Sequence, residues 1–159
     1  MSCHVCLLNP RSRGSVKLSG NKISDPLLLN PNFLGDDRDV EDLVKGFKLT
    51  RQLMQDPVLA EMYKEDLFTS NVKTDEDIRE ILRNRVDTVY HPVGSCKMGI
   101  DEMAVVDPEL RVYGIQNLRV IDASIMPSVV NGNTNAPVIM IAEKAVDLLR
   151  EANKRQQVA

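Results

Sequence analysis

VIDASIMPSVVNGNTNAPVIMIAEK, Val120 to Lys144, changes its periodicity partway along, and the reading of the whole chain turns on that change. Val120 and Ile121 continue an apolar run that begins at Leu118, Asp122 and Ser124 end it, and Pro127 marks a turn. Positions 131–135 hold three Asn, one Gly and one Thr, a set rich in hydrogen-bond donors and acceptors and tolerant of positive φ. The spacing predicts a helix beginning at Pro137, because the N–H that proline lacks would be unpaired in a first turn anyway. Val138, Ile141, Ala142, Ala145, Leu148 and Leu149 follow at helical intervals. Strand, turn, amide-rich loop and helix are expected in that order. The loop then lies at the positive end of a helix, where an electron-rich oxygen or a partial negative charge is stabilised.

Around this stretch, 159 residues suffice for one domain, which would bury roughly 70% of its unfolded surface. A hydrophobic fraction of 43% argues against disorder. The net charge of −3, with both signs mixed, offers no basic stripe for nucleic acid and no polybasic run for an anionic membrane. A small molecule or another protein is the expected partner. No apolar run approaches the ~20 residues of a transmembrane segment, and no charged-then-apolar leader opens the chain. Three cysteines fit a reducing compartment better than a disulfide scaffold, so the expected location is cytoplasmic.

Upstream, residues 4–8 and 15–18 read as two short strands joined by a polar turn, and Leu27, Leu28 and Leu29, between Pro26 and Pro31, as an extended connector. A helix is predicted over about 39–55, with Val40, Leu43, Val44, Phe47 and Met54 on one face. A short one is predicted near Val58, Leu59, Met62 and Tyr63. Thr74 and Asp77 have the spacing of a capping box ahead of a third. Residues 90–99, YHPVGSCKMG, form a shaped loop, and 105–122 return to β character with turns at Asp107–Pro108 and Gly114–Asn117. The tail after Arg150 is expected to fray. The fold class expected is α+β, a mainly antiparallel sheet from the N-terminal strands and those after Tyr90, packed by the middle helices.

Two histidines exist, and His91 is the informative one, in a loop bent by Pro92 and Gly94 beside Tyr90. Imidazole is the side chain that exchanges a proton near neutral pH, so His91 is a candidate acid or base. A histidine that merely hydrogen-bonds a turn satisfies the same pattern. Cys3 and Cys6 form a CxxC near His4, but residues three apart on a strand face opposite ways and no second ligand pair exists, so no metal site is expected. Cys96 is read as a packed thiol. The eight glycines form neither GxGxxG nor GxxxxGK[ST], so this chain carries no visible cradle for a pyrophosphate.

Three stretches together resemble the C-terminal part of the glucose-methanol-choline (GMC) oxidoreductases, flavoenzymes that oxidise alcohols. HPVGSCKMG, His91 to Gly99, is similar to the family's HPVGTCKMG, with Ser95 keeping the hydroxyl. LRVIDASIMPSVVNGNTNAPVIMIAEKAVDLL, Leu118 to Leu149, looks like the family's signature near its C-terminus, preceded by a fitting VVDPELRVYGI. NPRSRGSVKL, Asn9 to Leu18, resembles the strand and turn that open the family's C-terminal region.

The resemblance implies FAD as cofactor and an alcohol as substrate. It implies His91 as the active-site base that takes the hydroxyl proton while hydride leaves for the flavin, and Asn133 as the second active-site residue, bonded to the same oxygen. Asp122 and Ala123 match a turn that approaches the cofactor, and Thr134, Asn135 and Pro137 match the segment against the flavin ring. It further implies a single C-terminal domain, 1–159. Within it, 1–100 is a substrate-domain part with helices at about 39–86, and 104–155 holds the strands and final helix that return to the flavin domain. The flavin-binding N-terminal part is absent, so activity is expected only with that part in cis or in trans. The alternative is a non-catalytic remnant that acts as a binding or interaction module, with apolar residues around 138–141 exposed or paired in a homo-oligomer. HPVGSCKMG and GNTNAP look closer to the choline and aliphatic alcohol dehydrogenases than to sugar oxidases.

Overall fold

A computed structural model describes residues 3–158, with side chains from 3 to 155. Met1, Ser2 and Ala159, included in the expected single domain, lie outside the described residues. The chain forms two compact units, 1–89 and 90–159. The fold class is α+β, as expected.

In the first unit, β1 (Ser15–Leu18) and β2 (Leu27–Asn30) pair antiparallel, Val16 opposite Leu29 and Lys17 opposite Leu28. Every residue of this ribbon is exposed. The leucines of β2 therefore form a ladder strand where the sequence suggested only a connector. Pro26 and Pro31 flank the paired stretch and cost it no ladder donor. Residues 4–8, expected as a strand, have no strand conformation, so Cys3 and Cys6 lie on irregular, exposed backbone.

Three helices follow in this unit. α1 (Asp37–Met54) is capped by Asp36, whose side chain accepts from the Arg38 N–H at 2.9 Å. α2 (Pro57–Ala60) is a single turn capped by Asp56. α3 (Asp75–Arg85) opens on the capping box, in which Asp77 N–H donates to Thr74 Oγ1 at 3.2 Å and Thr74 N–H to Asp77 Oδ2 at 2.8 Å. The apolar faces of α1 and α3 meet around buried Val44, Val72 and Ile78, with Phe47, Ile81 and Leu82 packed against them. Arg51 fastens the intervening loop, donating to the carbonyls of Val72 and Thr69 at 2.7 and 2.9 Å.

The NPRSRG segment is tied to α1 through Asp39, 1% exposed. Its carboxylate accepts from the N–H groups of Arg11 and Ser12 and from Ser12 Oγ, at 2.6 to 3.0 Å. Burial alone would push this carboxyl up, but those hydrogen bonds outweigh it and leave its pKa below the ordinary value.

The second unit is built on loops and one long helix. The β-like stretches after Tyr90 meet only in single bridges: Met98 with Val106 in parallel, and Val106 with Val112 and Arg111 with Arg119 antiparallel. Turns cut the ladders short. Asp107 makes the first, accepting from Glu109 N–H, Arg111 N–H and Arg111 Nε at 2.7 to 2.9 Å. Val106, wholly buried, centres a core with Leu110, Ile125 and Ala145. A one-turn 3₁₀ helix spans Ala123–Ile125, and α4 (Asn135–Val158) ends the unit. α4 starts two residues before Pro137, which is its third residue, and it persists past Arg150 where fraying was expected. Glu151, Ala152, Lys154, Arg155 and the two following glutamines are all strong helix formers. No helix among the described residues is long and apolar enough to cross a membrane.

Candidate active site

The loop of residues 91–99 has no regular structure, and its shape comes from hydrogen bonds to the strand-turn segment. Cys96 N–H donates to the Ser124 carbonyl at 3.0 Å and Met98 N–H to that of Ile125 at 2.8 Å. Tyr113 Oη donates to the Gly99 carbonyl at 2.9 Å, closing the far end. Gly94 has φ +85°, and a Cβ there would stand 3.2 Å from the Met126 carbonyl oxygen. Glycine meets both demands. Tyr90, just ahead of the histidine, also has positive φ, +62°, which is uncommon for an aromatic residue and sets the direction in which the loop departs.

His91 is half-buried and Asn133 exposed. The imidazole is held at both nitrogens: Thr134 Oγ1 lies 3.0 Å from Nδ1 and Asn133 Oδ1 lies 3.3 Å from Nε2. Two consecutive residues, 42 and 43 positions along the chain, thus grip one ring. Thr134 immediately precedes α4, and its carbonyl takes the helix's Val138 N–H at 3.0 Å. The first-turn N–H groups of Asn135 and Ala136 have no carbonyl within the helix to bond, and Pro137 has none to offer.

The other predicted site residues fall on the same unit with different surroundings. Asp122 caps the 3₁₀ turn, accepting from Ser124 N–H at 2.7 Å and from its hydroxyl, while Ala123 is half-buried in that turn. Asn135 is exposed on the first turn of α4 and Pro137 is half-buried there. The 3.0 Å contact between the Thr134 hydroxyl and the imidazole is the feature that sequence reasoning missed, because Thr134 was assigned toward the cofactor alone. No local pattern marks it, because the sequence places Pro137 at the first helical position and the structure makes it the third. The positive φ of Tyr90 has no local signal either. Among the described residues, no cluster of three His, Cys, Asp or Glu side chains is placed to hold a metal ion.

The second unit thus brings a loop-held imidazole against an amide and a hydroxyl at the start of a helix. The chain belongs to the GMC oxidoreductase family: the family profile matches residues 10–142, and the match is to the family's C-terminal region. Proteins of this family are FAD flavoproteins. The chain is 46% identical over 148 residues to the alcohol dehydrogenase [acceptor] of Pseudomonas putida, covering 92% of this chain and 27% of that one. To the mitochondrial choline dehydrogenase of Homo sapiens it is 44% identical over 150 residues, covering 92% and 25%. The crystal structure of pyridoxine 4-oxidase from Mesorbium loti superposes with a TM-score of 0.85 at 34% identity, covering 91% of this chain and 28% of that one. The chain thus spans about a quarter of the length of the relatives it matches.

Proposed function

We propose that this chain supplies the substrate-side portion of an FAD-dependent dehydrogenase acting on an alcohol, with choline-like and aliphatic alcohols the favoured substrates. Activity then requires a flavin-binding portion, in cis or in trans. The observation that carries the reading is the imidazole of His91 held beside the Asn133 amide, at 3.3 Å, on an exposed edge of the unit.

The donor set fits an electron-rich heteroaromatic ring. Asn131, Asn133 and Asn135 present exposed amides, and two uncommitted N–H groups open α4. Thr134, Asn135 and Pro137, with Asp122 and Ala123, would hold the flavin. Bound there, FAD supplies the acceptor for hydride from the carbinol carbon. His91 takes the hydroxyl proton, the O–H bond breaking as N–H forms and the carbonyl double bond develops. The Asn133 amide donates to the same oxygen and orients it, so that the proton faces the ring nitrogen.

A chimera tests this. With this chain replacing the matching quarter of the Pseudomonas putida alcohol dehydrogenase [acceptor], alcohol-dependent dye reduction is expected, and His91→Ala should lower kcat by about 10²–10⁴-fold without loss of bound flavin. A flavin-loaded but inactive chimera beside a working parent would refute the reading, as would an unchanged kcat in His91→Ala.

A further inference from the structure

We propose that the cleft between α1 and α3 binds a small zwitterion, whose ammonium end meets Asp37 and whose carboxylate end meets Arg83 across a short apolar chain. The site lies within the first unit, and nothing in it rests on the alcohol-oxidation reading.

Two ion pairs set the register of the helices. Lys48 meets Asp75 at 2.6 Å and Arg79 meets Glu41 at 2.8 Å, so residue numbers rise along α3 as they fall along α1. One turn further, four residues before Glu41 and four after Arg79, Asp37 and Arg83 come to the next rung. Among the described residues no ion pair closes that rung. Both side chains line a cleft of ≈ 590 Å³, within the size range of small-molecule sites.

Hydrogen bonding decides which of the four charged residues around the cleft remain available. Arg79 donates from Nε and Nη2 to the two carboxylate oxygens of Glu41, at 2.8 and 3.0 Å, and from Nη1 to Glu76 at 3.4 Å. Arg79 and Glu41 therefore neutralise each other. Arg83 reaches Glu76 through Nη1 alone, at 3.3 Å, and its Nε and Nη2 are uncommitted among the described residues. Asp37, on the first turn of α1, bonds to no other described side chain. The rest of the lining is apolar: buried Val40, half-buried Leu34 and Val86, and the exposed ring of Phe33.

One anionic and one cationic group thus border an apolar lining from facing helices. A simple cation gains from Asp37 and is repelled by Arg83, and a simple anion meets the reverse. A zwitterion satisfies both ends at once, while its chain covers the apolar lining. The guanidinium suits a carboxylate in particular, because two parallel N–H groups match its two oxygens.

Amide chemical-shift titration of the full chain tests this with 5-aminopentanoate, using pentylamine and pentanoate as single-charge controls. Saturable shifts are expected at Leu34, Asp37, Arg83 and Val86, with the zwitterion bound roughly fivefold more tightly than either control. Asp37→Asn and Arg83→Gln, both at exposed positions, should each weaken the zwitterion roughly fivefold and leave amide signals outside the cleft in place. Preference among the controls should also cross over. Asp37→Asn should favour pentanoate over pentylamine and Arg83→Gln the reverse, a pattern that a purely structural role for either residue would not produce. The absence of saturable shifts, equal affinity for all three probes, or variants that bind them as the parent does would overturn the proposal.

Discussion

Asp39 is the residue on which one pH dependence of this chain rests. Its carboxyl is buried, accepts four hydrogen bonds, and has a folded pKa below its value in an unfolded chain. A depressed folded pKa contributes stability that is present above the unfolded value, near 3.8, and is lost as pH falls through the folded one. Asp36, held at about 2 by its bonds from Arg38, has the same sign, though its exposure screens it. Urea unfolding of the chain should therefore weaken between pH ~5 and ~2. Asp39→Asn, which replaces an acceptor oxygen with a donor facing N–H groups, should cost about 2–3 kcal/mol at neutral pH and flatten that acid slope. An acid slope equal to the parent's would show that other carboxylates carry it. In the sequence Asp39 is only an acidic residue at the start of a helix; its partners stand 27 and 28 positions earlier, beyond any local pattern.

Elements were legible where local chemistry specifies them. The Thr74–Asp77 box predicted the start of α3, and Thr74→Ala should lower stability by about 1 kcal/mol, measured by chemical unfolding. Both long helices appear where apolar spacing placed them, with ends shifted by a residue or two at α1 and the start of α4. Strands were less legible. Leu27–Asn30 became a strand because Ser15–Leu18 lies beside it, and 105–122 yielded bridges because turns at Asp107 and Gly114 interrupt every ladder. Gly94 is the element-scale position that shapes the histidine loop. Gly94→Ala must place a side chain at φ +85° against the Met126 carbonyl, and should cost about 1–2 kcal/mol. The same variant should disturb the His91 ring signals; unshifted signals would separate the loop's shape from the site.

The whole molecule has two cores, one around Val44, Val72 and Ile78 and one around Val106, Leu110, Ile125 and Ala145. Each belongs to one of the compact units. Val106→Ala should cost about 1–3 kcal/mol and raise hydrogen exchange at Met98 and Val112, while Val44→Ala should do so within α1 and α3. Exchange rising equally in both units for either variant would mean that they unfold as one.

By itself the sequence determined the class of fold, the long helices, the capping box of α3 and the family, read from HPVGSCKMG and GNTNAP. These depend on residues a few positions apart, where period, capping and turn chemistry operate. Tertiary structure alone decided which atom meets which. That Nδ1 of His91 faces Thr134 and Nε2 faces Asn133 depends on a loop fastened by backbone hydrogen bonds to a turn some thirty positions later. No spacing rule encodes the direction of a ring across that distance, because it follows from the packing that joins the two segments.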